Sequence, residues 1–326
     1  MDERFIILLI FVFLLSSCIP QEGISTSSGS DDGGSSSSSY GVQVSFVEGV
    51  PSNTFYVDEG LNTNANFEVA VDIQNKGDFP QSELESLYGR LYLTGYDPSI
   101  LRNRRWDGGD QFDRLQGVSS SYPEGDSVQK SFIADEVKFP SDRRKEYPIS
   151  LVLNACYYYE THATATICVD PDPRSRSSDQ ACLVGDVSID DQNAPLQVDS
   201  ITQTATSNEL IFSIKVSDRG GGNVLKEFGG NGVISDGRCL NPEYDEKDRI
   251  AADVSVTGLP QGECSPSSTT DEPLRLYDGT GEFVCRFPLD RLEADSAYTT
   301  QMDIKLRYGY HTNEKKTVTL VNMAQE

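Results

Sequence analysis

The chain has 326 residues, with 27 Lys and Arg against 51 Asp and Glu, for a net charge of −24. That balance excludes electrostatically steered binding to nucleic acid or to an anionic lipid surface, because both would repel it. With 37% hydrophobic residues the chain can still bury cores, while its 2 His leave little material for a His-ligated metal site or a His-based triad.

In chain order, residues 5–15 (FIILLIFVFLL) come first, an unbroken apolar run. As a helix it would span about 16 Å, roughly half of a bilayer's hydrocarbon thickness, which suits a secretory signal better than a spanning helix. Leu15-Ser16-Ser17-Cys18 follows directly. This tetrapeptide resembles the lipobox of prokaryotic lipoproteins, and the resemblance implies that Cys18 carries lipid and becomes the mature N-terminus. Residues 2–4 (Asp-Glu-Arg) depart from the pattern, since such signals open with net positive charge. Residues 21–40 are Ser, Gly and Asp with almost nothing to bury, so they form a flexible tether of about 25 Å root-mean-square reach. The expected order is therefore a signal over residues 1–17 and an anchored linker over 18–40. A folded part follows, held on the outer side of a membrane.

The rest of the chain repeats itself. Residues 42–46 (VQVSF) recur as 196–201 (LQVDSI), and 67–77 (FEVAVDIQNKG) as 210–220 (LIFSIKVSDRG). Residues 91–95 (LYLTG) recur as 254–258 (VSVTG), 139–143 (FPSDR) as 287–291 (FPLDR), and 157–161 (YYYET) as 308–312 (YGYHT). Five weak matches in one order define two copies, 41–185 and 195–326, joined by the polar stretch 186–194. The second copy carries an insertion within residues 221–252.

Each repeated block has the period of a strand with one buried face. Phe67, Val69, Val71 and Ile73 alternate with polar or small residues, as do Leu210, Phe212, Ile214 and Val216. Gly77 and Gly220 stop these strands. Convincing helical spacing is scarce; residues 81–91 are the best candidate and are short. The expected fold class is all-β, two tandem antiparallel β-sandwiches. Tyr298, six residues after Leu292 and just before an alternating strand, resembles the tyrosine corner of fibronectin type III and immunoglobulin-like domains; Tyr147 holds the equivalent place in the first copy. The Val-x-Val-x-Ile-x-Asn-x-Gly run ending at Gly77 is also similar to the signature strand of CARDB-type immunoglobulin-like domains of prokaryotic cell surfaces. The second copy departs from it with Asp218 in place of Asn. The resemblance implies the fold, and only by analogy a role.

With Cys18 assigned to the anchor, Cys156, Cys168, Cys182, Cys239, Cys264 and Cys285 remain, an even set that reads as disulfides in an exported chain. A hairpin over residues 147–170 turning at His162 would face Cys156 with Cys168. Cys264 and Cys285 would clamp one segment, leaving Cys182 with Cys239 as a bridge between copies.

Little points to catalysis. His162 and His311 fall at inferred hairpin tips and read as exposed, no nucleophile motif is present, and carboxylates are too abundant for any pair to stand out. No catalytic residue and no cofactor are expected. Calcium is the metal option that the acidic composition leaves open, with Asp186, Asp190 and Asp191 at the joint as its place. Tyr157, Tyr158, Tyr159, Tyr308 and Tyr310 either continue the buried face or form an aromatic recognition tip. The cluster 102–106 (RNRRW) is a basic–aromatic loop in an acidic chain. These features describe a non-enzymatic surface lipoprotein whose partners are other surface proteins or glycans and, through its lipid, the membrane. A structural subunit of a surface layer or filament, or an accessory solute-binding or hydrolase-associated lipoprotein, would share them.

Overall fold

The computed structural model describes residues 40–58, 67–82, 85, 87–102, 109–140, 145–171, 181–227, 237–266, 269, 271–289 and 296–323. The signal, Cys18 and the tether lie outside them, as do most of the basic–aromatic cluster and the turn preceding Tyr298. The described part is all-β.

The first copy contributes β1 (Val42–Phe46), β2 (Thr54–Val57), β3 (Glu68–Asn75), β4 (Tyr88–Thr94), β5 (Leu101–Arg102), β6 (Asp110–Asp113), β7 (Ser127–Ile133), β8 (Glu136–Val137) and β9 (Glu146–Val169). After β10 (Asp186–Val187), the second contributes β11 (Leu196–Ala205), β12 (Glu209–Asp218), β13 (Asn223–Leu225), β14 (Arg249–Val256), β15 (Glu263–Ser265), β16 (Leu274–Arg275), β17 (Thr280–Pro288) and β18 (Tyr298–Asn322). A single 3₁₀ turn, Arg238–Leu240, is the one helical element among the described residues.

Alternation decides which side each strand buries. In β3, Val69, Val71 and Ile73 are fully buried between half-exposed neighbours, and in β12 Leu210, Phe212, Ile214 and Val216 do the same. Two small antiparallel sheets result, β1-β3-β7 and β10-β11-β12-β17-β15. The third sheet runs β16-β14-β18-β9-β4-β6, with β13 and β2 also paired to β18. Its order is palindromic with respect to the two copies: β4 flanks β9 as β14 flanks β18.

The registers repeat as well. Val42 faces Asn75 and Val44 faces Ile73 across β1–β3, while Leu196 faces Asp218 and Val198 faces Val216 across β11–β12. The block at 91–95 is two residues out of step with its expected partner. Leu91 lies opposite Ala155, and it is Ala252, not Val254, that lies opposite the corresponding Leu306. A shift of two keeps the same face inward, so the pattern is preserved.

The hairpin expected over residues 147–170 does not form. β9 is one strand of 24 residues, and it pairs antiparallel with the 25-residue β18 from Tyr298–Val169 to Val321–Glu146. The reason is local: around His162 the chain reads Thr-His-Ala-Thr, which lacks the Gly, Asn or Pro that a tight reversal needs. The odd-numbered burial of Leu151, Leu153 and Tyr157 also continues unbroken through Ala163, Ala165 and Ile167. The stretches expected as separate sandwiches therefore share one sheet and one contiguous core. The expected joint is built in as well. Ile189 bridges Ala165, Ala194 is fully buried, and the Asn193 side-chain amide donates to the Lys76 carbonyl.

Candidate functional site

Three disulfides close within the described residues, and two of the pairings differ from expectation. Cys264 and Cys285 face each other across β15–β17 and are bridged. Cys168, near the end of β9, bonds Cys182 from the segment that follows, and Cys156 bonds Cys239, 83 residues away. The bridge between copies is thus Cys156–Cys239 instead of Cys182–Cys239. Cys156 has even parity on β9, so its sulfur points away from the main core into a small cluster with Tyr92, Leu225 and Cys239. The Tyr92 hydroxyl accepts from the Gly237 N–H at 3.1 Å, which holds the 3₁₀ turn carrying Cys239 against the sheet.

At the middle of the β9–β18 seam, Tyr157 stands opposite Tyr310 and Tyr159 opposite Tyr308. All four are fully buried, with ring centroids 5.7–6.2 Å apart around a closed quartet. They are core, not an exposed recognition tip. Tyr158, of the opposite parity, is half-buried and donates to Glu160 at 2.5 Å. The hydroxyl partners repeat between copies. The Val42 N–H donates to Tyr157 and the Leu196 N–H to Tyr308, at 3.2 and 3.1 Å. The Phe79 N–H donates to Tyr159 and the Gly222 N–H to Tyr310, at 3.2 and 2.8 Å. Burial pushes all four hydroxyls well above the ordinary phenol range, so they stay neutral hydrogen-bonding groups. Close approach also fixes two glycines: a Cβ at Gly77 would lie 1.8 Å from the Tyr159 hydroxyl, and one at Gly220 2.2 Å from that of Tyr310.

Beside the quartet, on the opposite face of β9, Glu160 gathers a polar node that the sequence did not single out. Its carboxylate accepts from Tyr158, from His162 Nε2 at 3.0 Å and from Lys305 Nζ at 2.9 Å. Burial alone would raise its pKa, but the hydrogen bonds and the Lys305 charge outweigh that and bring it down to about 2. Glu85, Glu160 and His162 place donor atoms within 4.8 Å of one another, a spacing a divalent ion could bridge, but Lys305 already neutralises the central carboxylate. The alternating Tyr158-x-Glu160-x-His162 pattern was the available signal.

An acid-lined cleft of about 660 Å³ adjoins the node, with Asp78, Asp190, Asp191, Asp253 and Asp303 around it and His162 and Lys305 at its side. Asp190 and Asp191, two of the expected calcium candidates, are therefore in one place, whereas the Asp186 side chain is outside the described residues. Asp190 accepts from the Thr164 hydroxyl. Burial raises the Asp78 pKa, opposed by the Asn193 N–H that its carboxylate accepts. Such oxygens are the ligand type a hard cation takes, and as a set they also serve as solvated surface charge. Neither histidine is at a hairpin tip. His162 sits mid-strand stacked on Phe79, and His311 contacts Asn154 Oδ1 at 3.0 Å, with burial lowering its pKa. Arg102 pairs with Glu136 at the edge of the small β5–β8 ladder.

No protein-family model matches this sequence, and no curated protein is significantly similar to it. Three disulfides fit an oxidising, extracytoplasmic setting. Among the described residues no helix is long and apolar enough to cross a membrane.

Proposed function

We propose that this chain is a non-enzymatic cell-surface lipoprotein, tethered through Cys18, that presents a rigid body for adhesion to other surface proteins or glycans. The body is a duplicated immunoglobulin-like β-module in which the two copies have fused their long strands into one sheet. The observation that carries the reading is the bridging of all six cysteines after Cys18, with one bond spanning 83 residues and tying the copies together. Disulfides persist in oxidising compartments, and they suit a body that must hold its shape outside the cell. The apolar run, the lipobox-like tetrapeptide and the tether point the same way.

The test is membrane fractionation with intact-mass analysis of the mature N-terminus. Wild type is expected in the membrane fraction with Cys18 as a lipidated first residue, and Cys18→Ala in the soluble fraction or unprocessed. An unmodified Cys18 and unchanged partitioning of the variant would overturn the anchor. Binding of the purified full chain to whole cells, measured with and without reduction of its disulfides, tests adhesion by the folded body.

A further inference from the structure

The second copy holds a cleft of about 670 Å³ where, in an acidic chain, three cations (Lys215, Arg249 and Arg275) line the wall against two acids, Asp199 and Glu282. Across the short β14–β16 ladder, Arg249 stands directly opposite Arg275. Like charges facing each other across an antiparallel pair oppose its formation, and in a chain with 51 acidic residues a compensating carboxylate is easily supplied. Here none is. Arg102, Arg219, Arg238, Arg286 and Arg307 all face carboxylates. Among the described residues Arg249 has only the Pro273 carbonyl, at 3.4 Å, and Arg275 only aromatic rings. The guanidinium of Arg275 lies 3.9 Å from the Tyr244 ring centroid and 5.9 Å from that of Tyr277. Both rings are large and open to solvent, at 74% and 71% exposure. The acids of the cleft are committed elsewhere, Asp199 to Arg219 and Ser217, and Glu282 to the Ser213 hydroxyl.

We infer that this cleft binds an acidic saccharide, with the carboxylate of a uronate-type unit between Arg249 and Arg275 and its sugar ring against Tyr277. A planar guanidinium pair takes one carboxylate with good geometry, and an anion there relieves the repulsion between the two cations. An exposed tyrosine face suits the C–H side of a pyranose. The remaining oxygens of Asp199 and Glu282 accept hydroxyl protons, which every unit of a sugar supplies and a glutamate side chain does not. The inference rests on the glycan arm of the surface reading and names its ligand class.

The experiment is isothermal titration of the full chain, in detergent micelles, with a panel of uronate-, sialate- and sulfate-bearing tetrasaccharides. A neutral tetrasaccharide and a tetraglutamate peptide complete the set. Saturable binding of an acidic saccharide is expected, reduced at least tenfold by Arg275→Gln and by Tyr277→Ala and unaffected by Arg286→Gln. Circular dichroism and non-reducing peptide mapping establish that each variant is folded. Absence of binding by every acidic saccharide, equal binding by the folded variants, or preference for tetraglutamate or for the neutral sugar would each overturn the inference. Failure of this titration while Cys18 is lipidated sinks the cleft alone, whereas a soluble wild type with intact saccharide binding sinks the tether alone.

Discussion

The two copies send matching backbone N–H groups to the tyrosine quartet and differ in how they end the strand beside it. At the close of β3 the residue is Asn75, fully buried, whose side-chain amide donates to the Phe79 and Leu115 carbonyls at 2.7 and 3.3 Å and whose oxygen accepts from the Gly77 N–H. At the close of β12 it is Asp218, which accepts from the Gly220 N–H and from the Tyr310 hydroxyl, both at 2.8–2.9 Å. The glycine contact is common to both. The first copy uses the side chain to satisfy two carbonyls, which needs a donor, and the second uses it to satisfy a tyrosine, which needs only an acceptor. Equivalent positions in the sequence repeat thus meet two different surroundings, an amide in one and a carboxylate in the other.

The largest effect that breaks the symmetry is loss of the bond between copies. Replacing Cys156 and Cys239 together by Ser opens a loop of 83 residues and is expected to cost about 4.5 kcal/mol. The equivalent change at Cys168 and Cys182, which close a loop of 14, is expected to cost about 3 kcal/mol. Denaturant melts of both variants check the order. Next comes the strand end. Asn75→Asp removes both donor bonds and sets a buried carboxylate against two carbonyls, for an expected loss of about 3 kcal/mol. Asp218→Asn keeps an acceptor for Tyr310 and is expected to change stability by about 1 kcal/mol or less. It also has a pH signature. Burial raises the Asp218 pKa despite the bonds from Tyr310 and Gly220, so the folded state takes up its proton before the unfolded state does. Its cost to stability is present at neutral pH and declines as pH falls through that raised value toward 3.8, and the Asn variant lacks this trend.

Much of this was legible in sequence, and the misses have physical causes. The β3 and β12 alternation, with glycine two residues beyond Asn75 and Asp218, located equivalent strands in both copies, and the structure adds their common register with β1 and β11. What was not legible is the length of β9 and β18. Their parity runs on past Tyr159 and Tyr308, but an inferred turn at His162 hid it, and with it the possibility that the copies share a sheet. Once β9 is a single strand, Cys156 and Cys168 lie on it twelve residues apart and cannot meet. Their true partners come from other segments, including the insertion that carries Cys239, whose return path no local pattern encodes. Glu160 was missed because its importance comes from Lys305 on the partner strand.

Smaller effects sharpen the comparison at the seam. Tyr157→Phe and Tyr308→Phe each leave a backbone N–H, of Val42 or Leu196, without its partner, and each is expected to cost about 1–2 kcal/mol. Tyr308→Phe is expected to cost slightly more, because its hydroxyl also contacts the Thr161 hydroxyl at 2.9 Å. Thermal melts of the pair measure the difference. Smallest is the acid limb from Glu160. Its pKa lies below the ordinary 4.5, at about 2, so its contribution is complete above pH 4.5 and is lost as pH falls toward 2. After allowance for solvent screening this amounts to about 1 kcal/mol, and Lys305→Met is expected to shrink it.

Native-state hydrogen exchange of the oxidised protein probes the shared sheet most directly. Amides of β3 and β9 in the first copy and of β12 and β18 in the second are expected to open together, in one slowest class with a common free energy. Two classes separated by about 2 kcal/mol or more and divided between residues 41–185 and 195–323 would mean that each copy folds for itself, and that the seam only joins finished domains.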